Sequence, residues 1–301
     1  MANPPSGRRP ERRRRPHLDP GAAHRLLIAG DPSGDFGGVA RGRARFEGAL
    51  AAGPADGGRA ADVETLRALA EAPIKGTGQV LYGSNAVFLL EFDAQDPDVP
   101  DEPLRAVYKP TRGERPLWDF PQHTLYLRET ATYIVDAALD LGHVPPTTLR
   151  DGPLGPGSVQ LFMHPDEAQP GPDSLESLEL QLRQIAMLDV LVNNADRKRA
   201  HLLVTPGTRV RAIDNALTFL PYPRQRTALI ALGGTPLPRP VVKRLRALQG
   251  DASRVDALST RLARLLSTQE VDALVHRLRE LAGDPVYPVL DDWDGRPFEW
   301  W

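Results

Sequence analysis

Three short polar clusters interrupt apolar stretches of this 301-residue chain, and their residue types suit the handling of charge. The first is Lys109, which ends the run Ala106-Val107-Tyr108 and precedes Pro110. An inward lysine near a Gly-Ser turn suits phosphate oxygens, whereas the same residue with its stem laid on apolar surface is an ordinary snorkelling lysine. The second is Asn193 to His201 (NNADRKRAH), directly after a helical run. Asp196 there lies between a helix end and a strand, held but accessible, in a setting where turn and cap aspartates also occur. The third is Ile213-Asp214-Asn215 at a strand end, where a carboxylate can reach a metal or shape a turn. The order of the clusters adds meaning. A lysine on a third strand, Glu129 on the next helix, a loop aspartate and a strand-end aspartate 18 residues later follow each other. Phosphoryl transfer from ATP needs a phosphate clamp, a clamp partner, an acceptor site and a metal anchor in that order.

Composition narrows the setting. The chain has no cysteine, which excludes disulfides, zinc–thiolate centres and thiol nucleophiles. Basic and acidic residues number 37 and 39, so the molecule as a whole is not a polyanion binder and no nucleic-acid partner is expected. No apolar run approaches the roughly 20 residues of a transmembrane helix. Leu26-Leu27-Ile28-Ala29, after an arginine-rich start, is too short for a signal-peptide core, so a cytoplasmic location is expected. Only Lys75, Lys109, Lys198 and Lys243 are lysine. In so arginine-rich a chain a lysine is mildly informative, and two of the four sit in the polar clusters.

These clusters need elements to position them. Residues 1–60, rich in Pro, Gly, Ala and Arg, show no periodicity and read as a disordered basic tail. Order is expected from Asp62, as the cap of a short helix carrying Val63, Leu66 and Leu69. Gln79 to Phe92 reads as two strands around Gly83-Ser84-Asn85, and Leu104 to Lys109 as a third strand. Thr124 to Leu141 has a helical stripe of Leu127, Ala131, Ile134, Ala138 and Leu141. Strands are expected around residues 147–149 and 158–163, a long helix from Asp173 to about Val192, two short strands at 201–204 and 210–213, and helices over 241–282. His123, His143, His164 and His276 show no metal-ligand spacing, and Trp118 reads as a packing anchor.

With these residues in view, the stretch 75–295 resembles the actinobacterial phosphatidylinositol 3-/4-kinase-like proteins. The similarity rests on Tyr108-Lys109-Pro110, GERPLWDFP (Gly113 to Pro121), NNADRK and AIDNALTF (Ala212 to Phe219). The last segment is also similar to the metal-binding segment of type II phosphatidylinositol 4-kinases. The resemblance implies an α+β, two-lobed protein-kinase-like fold: a small β-rich lobe over 61–163 and a helical lobe over 164–301, after the 1–60 tail. It implies that Lys109 contacts the α- and β-phosphates of ATP and pairs with Glu129, and that Ser84 and Asn85 cover the phosphates. By the same resemblance Gln160 to Met163, with Phe162 and Met163, forms the adenine-binding hinge. Asp196 becomes the catalytic-loop aspartate, and Asp214 the metal ligand for Mg²⁺ or Mn²⁺. His201 stands where protein kinases carry a metal-binding asparagine, and Ala216 where a glycine is expected. The implied function is transfer of the γ-phosphate of ATP to a hydroxyl of an unidentified protein, lipid or small-molecule acceptor. The alternative is a nucleotide-binding pseudokinase scaffold without turnover, and the sequence leaves the oligomeric state open.

Overall fold

The computed structural model describes residues 36–53, 57–80, 86–166, 171 and 174–297. Five antiparallel strands form the sheet of the smaller lobe: β1 (Ile74–Val80), β2 (Val87–Gln95), β3 (Pro103–Pro110), β4 (Thr147–Gly152) and β5 (Gly155–Leu161). Their order in space is β1-β2-β3-β5-β4. The period-two alternation of β3 turns Leu104, Ala106 and Tyr108 into the core and leaves Lys109 on the other face. Leu90, Phe92, Val159, Leu161 and Met163 complete that core. The register shift between β2 and β3 falls between Glu91 and Gln95, just before the acidic connection at 96–102.

The larger lobe is mostly helical: α4 (Leu175–Val192), α5 (Arg239–Gln249), α6 (Ala252–Leu262) and α7 (Thr268–Gly283). A two-stranded sheet, β6 (Leu202–Thr205) with β7 (Arg209–Ala212), packs on α4 through Ile185, Val210 and Ala212. Ser267 and Glu270 form a reciprocal capping box at the start of α7. Gly155, with φ of +94°, closes the tight β4–β5 turn, where a side chain would be strained.

One helix in the sequence of the small lobe is more deeply enclosed than its stripe predicts. Helix α3 (Leu125–Ala138) packs against β4, β5, α4 and α6, and every residue from Leu125 to Asp136 is buried. The polar residues this encloses are all engaged. Arg128 pairs with Glu270 of α7, and Thr132 donates to the Arg128 carbonyl oxygen at 3.0 Å.

The structure corrects the extent of the expected tail. Residues 1–35 lie outside the described residues, but Phe36–Ala51 forms helix α1 within the stretch read as disordered. Phe46 on α1 is fully buried, with its ring centroid 6.2 Å from that of Tyr126 on α3. Arg59 pairs with Asp136 of α3, and its second Nη lies 2.7 Å from Asp62. The large apolar residues of this run, Phe36, Val39, Phe46 and Leu50, are sparse among Gly, Ala and Arg, too few for a periodicity to show. Asp62 is spent in the same way: its carboxylate accepts from the Tyr133 hydroxyl at 2.7 Å rather than capping α2 (Val63–Glu71). If α1 is part of the core, Phe46→Ala should destabilise the protein by about 3–5 kcal/mol in urea unfolding, the usual cost of truncating a buried phenylalanine. A loss below about 0.5 kcal/mol is what a disordered tail would give.

Candidate active site

The end of β3 delivers Lys109 to the face opposite the small core. Its Nζ donates to Oε2 of Glu129 at 2.8 Å and to Oδ1 of Asp214 at 2.8 Å. Glu129, wholly enclosed on α3, uses its other oxygen to accept from the backbone N–H of Asn215 at 2.8 Å. Asp214 follows β7 with φ of +56°, a left-handed conformation uncommon outside glycine and best tolerated by Asp and Asn. Its Oδ2 lies 3.4 Å from Nε2 of His201. Three segments remote in sequence thus meet at one ammonium group.

The electrostatics follow from this geometry. Desolvation alone would lower the pKa of Lys109, but the carboxylates of Asp214 and Glu129 outweigh it and raise the value. The ammonium in turn holds the Asp214 carboxyl well below the usual carboxylate range. Burial pushes His201 down to about 4, against the opposing pull of Asp214, so its imidazole is neutral near pH 7. Burial raises Asp196, the nearby Lys198 partly offsets this, and the charge of Asp214 adds to the rise.

Asp196 is held by the loop after α4. Asn193 ends that helix with φ of +51°, and the side-chain oxygen of Asn194 accepts from the backbone N–H of Asp196 at 2.9 Å. Lys198 Nζ lies 2.9 Å from Asp196 Oδ2. Under the loop, the wholly buried Arg197 guanidinium donates to both oxygens of Asp189 at 2.9 Å. It also donates to the Ile213 carbonyl at 2.8 Å and the Asn215 side-chain oxygen at 2.5 Å. Arg197 therefore fixes the loop of Asp196 to the segment that carries Asp214.

The expected residues fare differently. Lys109, Glu129, Asp214 and His201 are brought together by direct contacts, and Asp196 sits on the loop that Arg197 ties to residues 213–215. Phe162 and Met163 leave the sheet at the end of β5; the Phe162 N–H donates to the Arg105 carbonyl at 2.9 Å, and the Met163 side chain packs in the small core. Gln160 spends its amide on Thr147 Oγ1 at 2.9 Å. Ser84 and Asn85 lie outside the described residues. Trp118 is not a packing anchor: it is 85% exposed, with Arg224 stacked over its ring at 5.2 Å. Sequence reading missed Arg197 with Asp189, and the bond from Asn215 to Glu129. A charged Asp189 inside the apolar run Ala186-Met187-Leu188-Asp189-Val190-Leu191 was the available signal.

The stretch Gly113–Pro121 turns out to be a brace. A side chain at Gly113 would collide with Ala86 at the start of β2, and the Gly113 carbonyl accepts from the Ala86 N–H at 3.2 Å. Glu114 reaches the first turn of α3, accepting from the Tyr126 N–H at 3.1 Å. Leu117 and Phe120 pack with Leu125, Ala195, Ala216 and Leu220, and so touch α3, the Asp196 loop and the stretch after Asp214. The methyl group of Ala216 contributes to that cluster.

Two outcomes are expected. Lys109→Met strands the buried Glu129 charge and should cost about 3–5 kcal/mol in denaturant unfolding. Adding Glu129→Gln should recover at least half of the loss, whereas additive costs would show that the pair is not coupled. Burial, partly offset by the helix amides, pushes Glu114 up to about 7. A carboxyl raised on folding stabilises fully below its unfolded pKa near 4.5, and that contribution is lost as pH rises through about 7. Glu114→Gln should therefore flatten the fall in stability between pH 5 and pH 7.5, and unchanged slopes would refute the assignment.

No protein-family model matches the chain. It is 33% identical over 271 residues, covering 77% of its own length and 93% of the relative's, to Protein Rv2133c of Mycobacterium tuberculosis (strain ATCC 25618 / H37Rv). Among solved structures it is similar to hydra Fam20 with sugar, at a TM-score of 0.51 and 17% identity over 72% of this chain and 86% of that one. The Golgi casein kinase (TM-score 0.48, 16% identity, 73% of this chain and 74% of that one) and the Helicobacter pylori proinflammatory kinase CtkA (0.44, 10%, 73% and 95%) are also similar. At these identities the structural likeness speaks for the fold, which is α+β and protein-kinase-like; it does not single out the phosphatidylinositol kinases. The chain belongs to the family of Protein Rv2133c.

Proposed function

We propose that this protein transfers the γ-phosphate of ATP to a hydroxyl group, with a divalent cation at Asp214 and His201. The observation that carries the reading is the Lys109 ammonium, 2.8 Å from both Glu129 and Asp214. A cation pinned by one buried carboxylate beside a second, half-exposed one suits phosphate oxygens accompanied by a metal ion. The nucleotide would lie between the lobe of residues 61–163 and that of 164–301, with Ser84 and Asn85 over its phosphates and Phe162 and Met163 near its base. Among the described residues no group of three or more His, Asp or Glu side chains is gathered to hold a metal. The donors on offer are a carboxylate and a neutral imidazole, which fit Mg²⁺ or Mn²⁺ when phosphate oxygens complete the shell. Such a cation would neutralise phosphate charge as the transferred group shifts.

The chain's own residues do the rest. Lys109 binds and orients the phosphates, and Glu129 keeps the ammonium in place. Asp196, with its raised pKa, accepts a hydrogen bond from the acceptor hydroxyl and takes its proton as the oxygen attacks. Arg197 holds Asp196 and Asp214 in register from beneath. The second reading, a nucleotide-binding scaffold without turnover, draws support from Lys198, whose ion pair already occupies Asp196. No helix among the described residues is long and apolar enough to cross a membrane. The acceptor is a protein, a small molecule or, as the sequence resemblance implies, a lipid headgroup.

Incubation with γ-labelled ATP and Mn²⁺ or Mg²⁺ tests the reading through transfer to the protein itself or to a pool of cell extract. Asp196→Ala should lower transfer by about 10²–10⁴ while ATP binds within twofold of wild type. Asp214→Ala should instead remove the metal-dependent part of nucleotide binding. Binding of ATP with no label transferred by wild type favours the scaffold.

A further inference from the structure

A cavity of about 430 Å³ opens beside the start of α3, between α1, the turn after β3 and the β4–β5 turn. That volume is in the range of small-molecule sites. Its apolar walls are the Tyr126 ring on α3 and Pro153, Leu154 and Pro156 of the β4–β5 turn. Tyr126 is buried, so these groups form a floor. The charged side chains that line it are of one sign. Arg43 of α1 and Arg112 after β3 are both exposed at the mouth, His123 adds an imidazole, and no carboxylate lines the cavity.

The walls are fixed by contacts of their own. The Tyr108 hydroxyl donates to the Gly155 carbonyl and holds the β4–β5 turn from the core side. Glu114 accepts from the Tyr126 N–H, and the Tyr126 ring rests on Phe46 of α1. His123 is kept at φ of +60°, a left-handed conformation seldom adopted by a residue with a β-carbon, with Nδ1 3.4 Å from Thr111 Oγ1. The two arginines differ in how far they are already answered. Arg112 has no hydrogen bond or ion pair among the described residues. Arg43 bonds Glu47, one turn along α1, through Nε at 2.8 Å; both side chains are more than half exposed, so the pair is weak. The exposed Asp151 also acts on Arg43 through its charge, from outside the walls.

An apolar floor with only cationic groups at its mouth suits a ligand with an apolar body and one negative end. The planar fork of a guanidinium matches a carboxylate, and a tyrosine ring among prolines and a leucine packs well against a flat ring. We propose that this cavity binds an aromatic carboxylic acid, its ring against Tyr126 and Leu154 and its carboxylate on Arg112, with Arg43 as the second cation. The site adjoins the Lys109–Glu129 pair through the chain. Tyr126 lies one turn before Glu129 on α3, and Arg112 follows Lys109 by three residues, so one ligand spans the two elements which that pair joins. An occupied cavity therefore braces the pair and tightens ATP binding. That consequence rests on the nucleotide reading of Lys109; binding of the acid does not.

The test is titration calorimetry on the full chain at constant ionic strength. Three probes are compared: naphthalene-2-carboxylate, the uncharged naphthalene-2-carboxamide, and acetate, which has the charge without the ring. The naphthoate should bind saturably, and the other two should each be weaker by about tenfold or more. Arg112→Met, at an exposed position without a partner among the described residues, should fold like wild type and lose the preference for the acid over the amide. Arg43→Gln should weaken the acid by about threefold. Excess ATP and Mg²⁺ should leave the acid bound, and saturating acid should raise ATP affinity by about fivefold. No saturable binding, equal binding of acid and amide, an unchanged preference in folded Arg112→Met, or displacement by ATP overturns the site. Acid bound with ATP affinity unchanged overturns the coupling, and acid bound by a protein that takes up no ATP overturns the nucleotide reading and leaves the site standing.

Discussion

One ammonium group holds the candidate site together. Nζ of Lys109 bonds a carboxylate 20 residues away and another 105 residues away, so β3, α3 and the segment after β7 are placed by the same charge. Each partner limits the others. Glu129 is wholly buried and would be a stranded charge without the lysine. The lysine is kept protonated by the two carboxylates, and Asp214 keeps its charge through the lysine. Enclosure of α3 on all sides is tolerated because its polar side chains, Glu129 among them, are partnered.

Two further devices keep this triad from drifting. Arg197 joins α4, the Asp196 loop and residues 213–215 from below, with each guanidinium nitrogen bonded to a carboxylate, a carbonyl or an amide oxygen. Residues 113–121 do the same from the side, touching the start of β2, the first turn of α3 and the apolar patch of Ala195 and Ala216. Both are arrangements in which one residue type is required. A lysine at 197 would lose the fork that spans Asp189, and any side chain at Gly113 would meet Ala86.

Much of this was legible in the residues themselves. The strand ending in Lys109, the helix bearing Glu129 and the order of the two aspartates come from period-two and period-3.6 patterns, which burial imposes locally. What was hidden depends on contacts distant in sequence. Helix α1 was invisible because its few large apolar residues, the buried Phe46 among them, are scattered through a run of small and basic residues. The cap expected of Asp62 failed because Tyr133 and Arg59 compete for the same carboxylate. Asp189 and Arg197 read as separate charges until the loop folds back on α4. Trp118, taken from its size as an anchor, is instead a platform for Arg224, since its neighbours Leu117 and Phe120 already fill the patch beneath.

The central claim, that Lys109 faces the phosphates of a bound nucleotide, has a direct measurement. An acyl-phosphate derivative of ATP acylates whichever amine is held against its phosphates, and this chain offers only four lysines to distinguish by peptide mass spectrometry. Labelling should fall on Lys109, with Lys198 the secondary site, and should vanish when excess ATP and Mg²⁺ are added first. Labelling confined to Lys75 and Lys243, and unaffected by ATP, would contradict the account.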